Sequence, residues 1–268
     1  MTKKQPLEDL AKQAGKSVKT LQRWFKEFLN NPPEPRPLPN PRCIALIDGT
    51  YFKRISCSVL YYDHKKKKLL WWRWSSGERA EEIIADLEAL KVRGVILKAA
   101  VTDGRKALIL ALKTVYPDIL LQRCMVHLER QALAWLTRQP KYPAGRELRE
   151  LSLVLNVIDS KPKRNLWLKL FQQWGQKYDE FLKERTLSFD GKRWRYTHRN
   201  LRKVRKHLLN ALTCMFTYLK HPNVPKDTNE LEGGKFSGLK EIIFNHRGIP
   251  KYKRPNFLAW YYYFKQLD

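Results

Sequence analysis

The sequence predicts a mixed α/β fold: a five-stranded sheet with flanking helices, an all-helical block inserted late in the chain, and a small helical pair at the start. Three observations carry that expectation. A run of six prolines (32, 33, 35, 37, 39 and 41) interrupts the chain early. After it, short apolar runs bounded by turn residues read as strands, with helical spacing between them. From about residue 125 to 222 the apolar residues recur at steps of three and four, and no convincing strand is read.

Residues 1–30 hold the helical pair. Leu7, Leu10, Ala11 and Ala14 follow a helical period, and Gly15 breaks it. Ser17 can cap a second helix that turns Val18, Leu21, Trp24, Phe25 and Phe28 inward. Its outer face offers Lys16, Lys19, Arg23 and Lys26, the kind of surface a recognition helix presents to phosphates and base edges. The pair is therefore read as a helix-turn-helix; the alternative is a hairpin that only packs on the core. Residues 31–41 (NPPEPRPLPNP) must be extended and semi-rigid, which makes them a linker.

Residues 42–127 follow as the first part of the core. Cys43–Thr50 is an apolar strand that carries an acid near its end, and Ile55–Tyr62 alternates as a second strand. A lysine-rich turn at Asp63–Lys68 leads to a third strand at Leu69–Trp74. Arg79–Lys91 is helical, with Ile83, Ile84, Leu87 and Leu90 at helical spacing. Gly94–Val101 is a near-continuous apolar run, as a buried central strand requires. A helix at about 105–115 and a fifth strand at Ile119–Arg123 complete the order. Residues 128–226 are the helical block, and residues 227–268 return to the core with a capped helix near Asp227–Asn229 and an aromatic closing helix.

The charge balance limits the function. Lys plus Arg number 53 against 26 Asp plus Glu, a formal net charge of +27. Such an excess repels itself in a compact fold unless a polyanion is near, and nucleic acid supplies one through phosphate contacts and counterion release. The four cysteines (Cys43, Cys57, Cys124, Cys214) form no C-x-x-C pair, so neither a zinc ribbon nor a disulfide framework is indicated. No apolar signal segment opens the chain, and no apolar run approaches the roughly 18 residues of a membrane span. A cytoplasmic protein in a reducing compartment, without a membrane partner, is expected.

Two acids stand at strand ends. Asp48 lies in Ile47-Asp48-Gly49, and Asp103 in Thr102-Asp103-Gly104. Carboxylates at adjacent strand ends can hold divalent cations, and hard oxygen ligands favour Mg2+ or Mn2+ over zinc. Asp-Gly is also ordinary turn chemistry. Within the helical block, Arg193–Lys206 reads RWRYTHRNLRKVRK, where Arg195, Arg199, Arg202 and Arg205 or Lys206 recur at helical steps and Thr197 can cap. That row can follow a DNA backbone, with Trp194 and Tyr196 stacking on exposed bases; the alternative is a solvated basic face. Trp71, Trp72 and Trp74 lie on a strand and are read mainly as core.

The strand order resembles the Mutator-like group of DDE transposases, which includes many bacterial insertion-sequence enzymes. The resemblance also rests on Ile47-Asp48-Gly49, Thr102-Asp103-Gly104, Gln122-Arg123-Cys124-Met125-Val126-His127 and Thr228-Asn229-Glu230-Leu231-Glu232-Gly233-Gly234, and covers about residues 43–250. It implies an RNase H-like core with a helical insertion before the last catalytic helix. It implies a metal site of Asp48, Asp103 and Glu232. Glu230 is the decoy, because two helical residues are roughly 200° apart and cannot share one direction. The resemblance also matches a C-x-x-H motif to Cys124 and His127. Two ligands fall short of a zinc site, so a structural or metal-supporting role is expected for them. His246-Arg247-Gly248 resembles a short family motif, with Arg247 expected on phosphate. The implied activity is Mg2+- or Mn2+-dependent cleavage of the ends of an insertion sequence and joining of the 3′-OH to target double-stranded DNA. Work on two ends implies a homodimer or larger assembly on DNA. The rival readings are an RNase H-like nuclease without strand transfer and a non-catalytic, domesticated DNA-binding protein.

Overall fold

A computed structural model of the chain describes residues 5–34, 42–52, 56–246 and 248–265. Most of the proline run and Arg247 lie outside the described residues. The order is α1 (Leu7–Ala14), α2 (Val18–Asn30), β1 (Arg42–Phe52), β2 (Ser56–Asp63), β3 (Lys68–Ser75), α3 (Ala80–Val92), β4 (Ile96–Thr102), α4 (Lys106–Val115) and β5 (Leu120–Arg123). The helical block holds α5 (Met125–Leu136), α6 (Pro143–Leu153), α7 (Lys161–Lys177), α8 (Asp179–Lys183), a hairpin of β6 (Arg185–Leu187) and β7 (Trp194–Tyr196), and α9 (Arg199–Ala211). A π-helical segment (Leu231–Phe236) then runs into α10 (Ser237–Asn245), and α11 (Arg254–Lys265) closes the described chain.

The five core strands form one sheet in the order β3-β2-β1-β4-β5. β2 and β3 are antiparallel, and β4 and β5 parallel, so the sheet is mixed. The chain divides into two compact units. One comprises Met1–Cys43, Asp48–Ile96 and Glu230–Asp268; the other comprises Ile44–Ile47 and Leu97–Asn229.

In the first unit the β2–β3 turn is built by Asp63, whose Oδ1 accepts the N–H groups of Lys65 and Lys66 at 2.8 and 3.1 Å. Side chains then alternate between faces. Trp71 and Arg73 face α3, where the carboxylate of buried Asp86 accepts from Trp71 Nε1 at 2.7 Å, Arg73 Nε at 2.7 Å and Tyr61 Oη at 3.0 Å. A buried carboxylate needs such donors, and here they tie α3 to the hairpin. Trp72 points the other way and packs on Tyr262 of α11, with ring centroids 5.2 Å apart. Both tryptophans are half-buried at the margin of the core, packed against neighbouring elements of the unit.

The N-terminal pair forms as its caps dictate. Gly15 takes the left-handed conformation (φ 62°) after α1, and Ser17 Oγ accepts the N–H of Thr20 at 3.1 Å. Only Ala11 and Leu21 are buried. Trp24 and Phe28, expected inward, are 39 % and 50 % exposed. An eight-residue partner helix is too short to cover them, and Phe28 instead meets the edge of Trp260.

The second unit has its own apolar core. Leu128, Ala132 and Leu136 of α5 meet Leu148 of α6, Trp167, Phe171 and Trp174 of α7, and Val204 and Leu208 of α9. Trp167 and Trp174 donate their indole N–H groups to the carbonyls of Leu151 and Ala144 at 2.8 and 2.9 Å. The segment after α9 runs along β5. Arg123 N–H donates to the Cys214 carbonyl at 3.0 Å, and buried Gln122 donates to the Met215 carbonyl at 2.8 Å. That pairing satisfies an edge strand.

The helical block departs from its expected form in one place. Residues 185–196 hold the β6–β7 hairpin, where no strand was expected. Arg195 is therefore a strand residue, and α9 begins only at Arg199. Thr197 does not cap it; its hydroxyl meets that of Thr186 at 2.7 Å.

Candidate active site and nucleic-acid face

Asp48 and Glu232 come from distant parts of the chain and meet in the first unit. Their carboxylates offer ligand oxygens within 4.8 Å of each other. Asp48 is held on β1, only 5 % exposed, and its Oδ1 accepts the N–H of Gly49 at 2.8 Å. An added Cβ at position 49 would lie 2.1 Å from Oε1 of Glu78, so that carboxylate would have to move aside. Glu232 sits in the π-helical segment, where one extra residue per turn re-aims side chains; such segments are frequent at functional sites.

Glu230 faces a different set of partners. Lys67 Nζ reaches its Oε2 at 2.7 Å and His64 Nδ1 lies 3.1 Å away. Burial would raise its pKa, but the hydrogen bonds from Lys67, His64 and Tyr62 outweigh that and hold it below the usual glutamate range.

Asp103, Cys124 and His127 belong to the second unit. Asp103 follows β4, and its carboxylate accepts the backbone N–H of Arg105 at 3.0 Å and pairs with Arg105 Nε at 2.9 Å. Gly104 stands beside it with φ 76°. A Cβ there would lie 1.7 Å from Nε of Arg123, so glycine is required both for the backbone and for the buried guanidinium. Burial lowers the pKa of Arg123, partly offset by Cys214, Asp103 and Cys124. Its Nε has no hydrogen-bond partner among the described residues. Nothing in the sequence around Arg123 signals this burial, because its neighbours along β5 read only as a strand.

Cys124 stands just before α5, and its side chain does not cap the helix. Its Sγ accepts from the N–H and the hydroxyl of Thr228, both at 3.4 Å, while Met125 N–H donates to the Lys226 carbonyl at 3.0 Å. The thiol thus anchors the start of the T-N-x-L-E-G segment. Among the described residues, Cys124 joins no group of three or more metal-ligating side chains. His127 lies one turn into α5, partly buried.

The basic residues sort by exposure. Lys19, Arg23 and Lys26 are exposed along α2, one helical face at steps of four and three. On α9 the exposed basic residues are Arg199, Lys203 and Lys206. Arg202 folds over the Tyr196 ring, 3.5 Å from its centroid, and donates to the Leu182 carbonyl at 2.9 Å. Arg205 reaches Asp179 at 3.3 Å. The Tyr196 ring is thereby occupied, whereas Trp194 stays 66 % exposed on the hairpin. Lys203 and Lys206 follow the same helical period as the arginines and were legible from it.

Comparison with known proteins adds one match. Residues 63–187 match the family described as Transposase, Mutator family. This segment belongs to the Mutator family of transposases. The match contains Asp103, Cys124 and His127, and Asp48 and Glu232 lie outside it. No curated protein matches the chain. Among the described residues, no helix is long and apolar enough to cross a membrane.

Proposed function

We propose that the chain is the transposase of a bacterial insertion sequence, with an RNase H-like core and a DDE site of Asp48, Asp103 and Glu232. The observation that carries the reading is the meeting of Asp48 and Glu232, which lie on opposite sides of the family segment in sequence and offer oxygens within 4.8 Å. The sheet order and the family match support the same reading.

The donor set fits Mg2+ or Mn2+. Carboxylate oxygens are hard ligands, and Mg2+ takes them at about 2.0–2.1 Å, so two oxygens at this separation reach one ion by small side-chain rotations. Bound to these acids, such cations supply the charge that activates an attacking oxygen and stabilises a leaving one. The chain's own residues set the geometry. The sheet fixes Asp48, the Gly49 N–H orients one of its oxygens, and Arg105 steadies Asp103. Cys124 holds Thr228, at the head of the T-N-x-L-E-G motif, by its N–H and hydroxyl. No side-chain nucleophile is required, because water and the DNA 3′-OH are the attacking groups.

Residues 1–30 act as a helix-turn-helix that reads element ends through Lys19, Arg23 and Lys26. Residues 31–41 are its linker, 42–127 and 227–268 the core, and 128–226 the insertion, with Arg195 and Arg199 on phosphates. Arg247 is proposed for phosphate and lies outside the described residues. The active assembly on double-stranded DNA is a dimer or larger, in the cytoplasm. Incubating the protein with element-end DNA, target DNA and Mg2+ tests this on a sequencing gel. Joined products are expected. Nicks without joining would favour a plain nuclease, and binding without cutting a non-catalytic protein.

A further inference from the structure

The second unit contains a cleft of about 890 Å³ where the end of α5, the start of α6 and the β7–α9 corner meet. Lys141, Arg199, Arg202, Lys203, Arg205 and Lys206 line it, and no Asp or Glu does. Arg205 pairs with Asp179 beyond the lining, and Arg202 is held on Tyr196 and the Leu182 carbonyl. That leaves Lys141, Arg199, Lys203 and Lys206; four cations gathered without an acid in the lining repel one another and mark a place for an anion. Two aromatic rings share the cleft. Lys203 Nζ lies 5.0 Å over the Trp135 ring, and Lys141 Nζ 5.5 Å over Tyr142, which is 42 % exposed. At the lip Thr137 holds φ 65°, a conformation a β-branched residue avoids.

We propose that this cleft takes an unpaired nucleotide of DNA, with phosphates on Arg199, Lys203 and Lys206 and the base on Tyr142 and Trp135. The assignment to DNA rests on the transposase reading. The cleft has the size of a small-ligand pocket, far narrower than a duplex. In a duplex the base faces are hidden by stacking; only an unpaired base can offer one to a ring. An acidic peptide would satisfy the lysines but leave both rings unused. The lysine–ring pairs also suit exchange. An exposed ammonium on a ring is weakly held, so a phosphate can draw it off and leave the ring face to the base.

Binding by the full chain tests this, using a fluorescent single-stranded oligothymidylate and a blunt duplex of equal length, followed by anisotropy at fixed salt. Tyr142→Leu keeps apolar bulk but removes the ring face. It is expected to weaken single-strand binding about tenfold, within the range for loss of one stacked base, and to leave duplex binding within about twofold. Tyr142→Phe should restore wild-type binding. Lys203→Gln should weaken single-strand binding and flatten its salt dependence. Unchanged single-strand affinity in Tyr142→Leu, or equal losses for both probes, would overturn the proposal. A metal-dependent cutting assay on the same proteins separates the two ideas. Cutting by wild type with unchanged single-strand binding in Tyr142→Leu sinks the cleft alone. Selective loss in Tyr142→Leu without cutting by wild type sinks the transposase reading alone.

Discussion

Gly104 decides how closely Arg123 approaches the end of β4. Its φ of 76° already excludes most side chains, and a Cβ would collide with the guanidinium at 1.7 Å. Gly191 provides the control, with φ 67° and open space around it. Gly191→Ala should cost only the backbone penalty, about 1–2 kcal/mol. Gly104→Ala should cost clearly more and displace Asp103, which thermal unfolding and DNA cutting will read together. Equal losses of stability in the two variants would contradict the close packing. His207 supplies a pH test. Burial, then the positive charge of Arg123, push its pKa down to about 4. The unfolded imidazole titrates near about 6.5. Between these values the unfolded chain binds a proton that the folded chain refuses, so stability falls as pH drops from about 6.5 to about 4. His207→Gln should flatten unfolding free energy over that window. An unchanged slope would show that other groups carry the loss.

Elements differ in how plainly the chain announces them. Strong period and capping signals made β1 to β5 and the α1–α2 pair readable to within a few residues, because Gly15, Ser17 and the apolar runs leave few alternatives. The β6–β7 hairpin was missed. Its strands are three residues each and mostly exposed, so no alternation accumulates, and the Asp190-Gly191 turn was the one available signal. The π-helical segment left no trace in the sequence, yet it sets the direction of Glu232. The distribution of cations on α9 was half legible: the period gave the row, but only packing shows that Arg202 and Arg205 are spent on Tyr196, Leu182 and Asp179. The α1–α2 pair is also tied down. The carbonyls of Phe28 and Leu29 accept from Trp260 Nε1 and Asn256 Nδ2 at 2.8 and 2.9 Å, which satisfies the end of α2. Removing the pair would therefore strip α11 as well as any DNA contact. Replacing Lys19, Arg23 and Lys26 with Ala is cleaner. It should lower affinity for element-end DNA at least tenfold, through three lost phosphate contacts, with the melting temperature unchanged. Wild-type affinity in that variant would place end recognition elsewhere.

At the scale of the whole molecule, a net charge of +27 makes DNA affinity an electrostatic quantity. Duplex affinity should fall by about two orders of magnitude or more between about 50 and 200 mM salt, as several phosphate contacts require; a flat response would exclude an interface of that size. The proposed function stands on the metal-dependent site. It predicts that Asp48, Asp103 and Glu232 are each indispensable, and that Glu230, two residues away and held by Lys67 and His64, is not. The direct measurement is Mg2+-dependent cutting and joining of element-end DNA by Glu232→Gln beside Glu230→Gln, with binding measured on the same proteins. Glu232→Gln is expected to bind DNA at least as tightly as wild type and neither cut nor join, while Glu230→Gln does both. A Glu232→Gln protein that still cuts, or a Glu230→Gln protein that folds and binds but is inert, would contradict it.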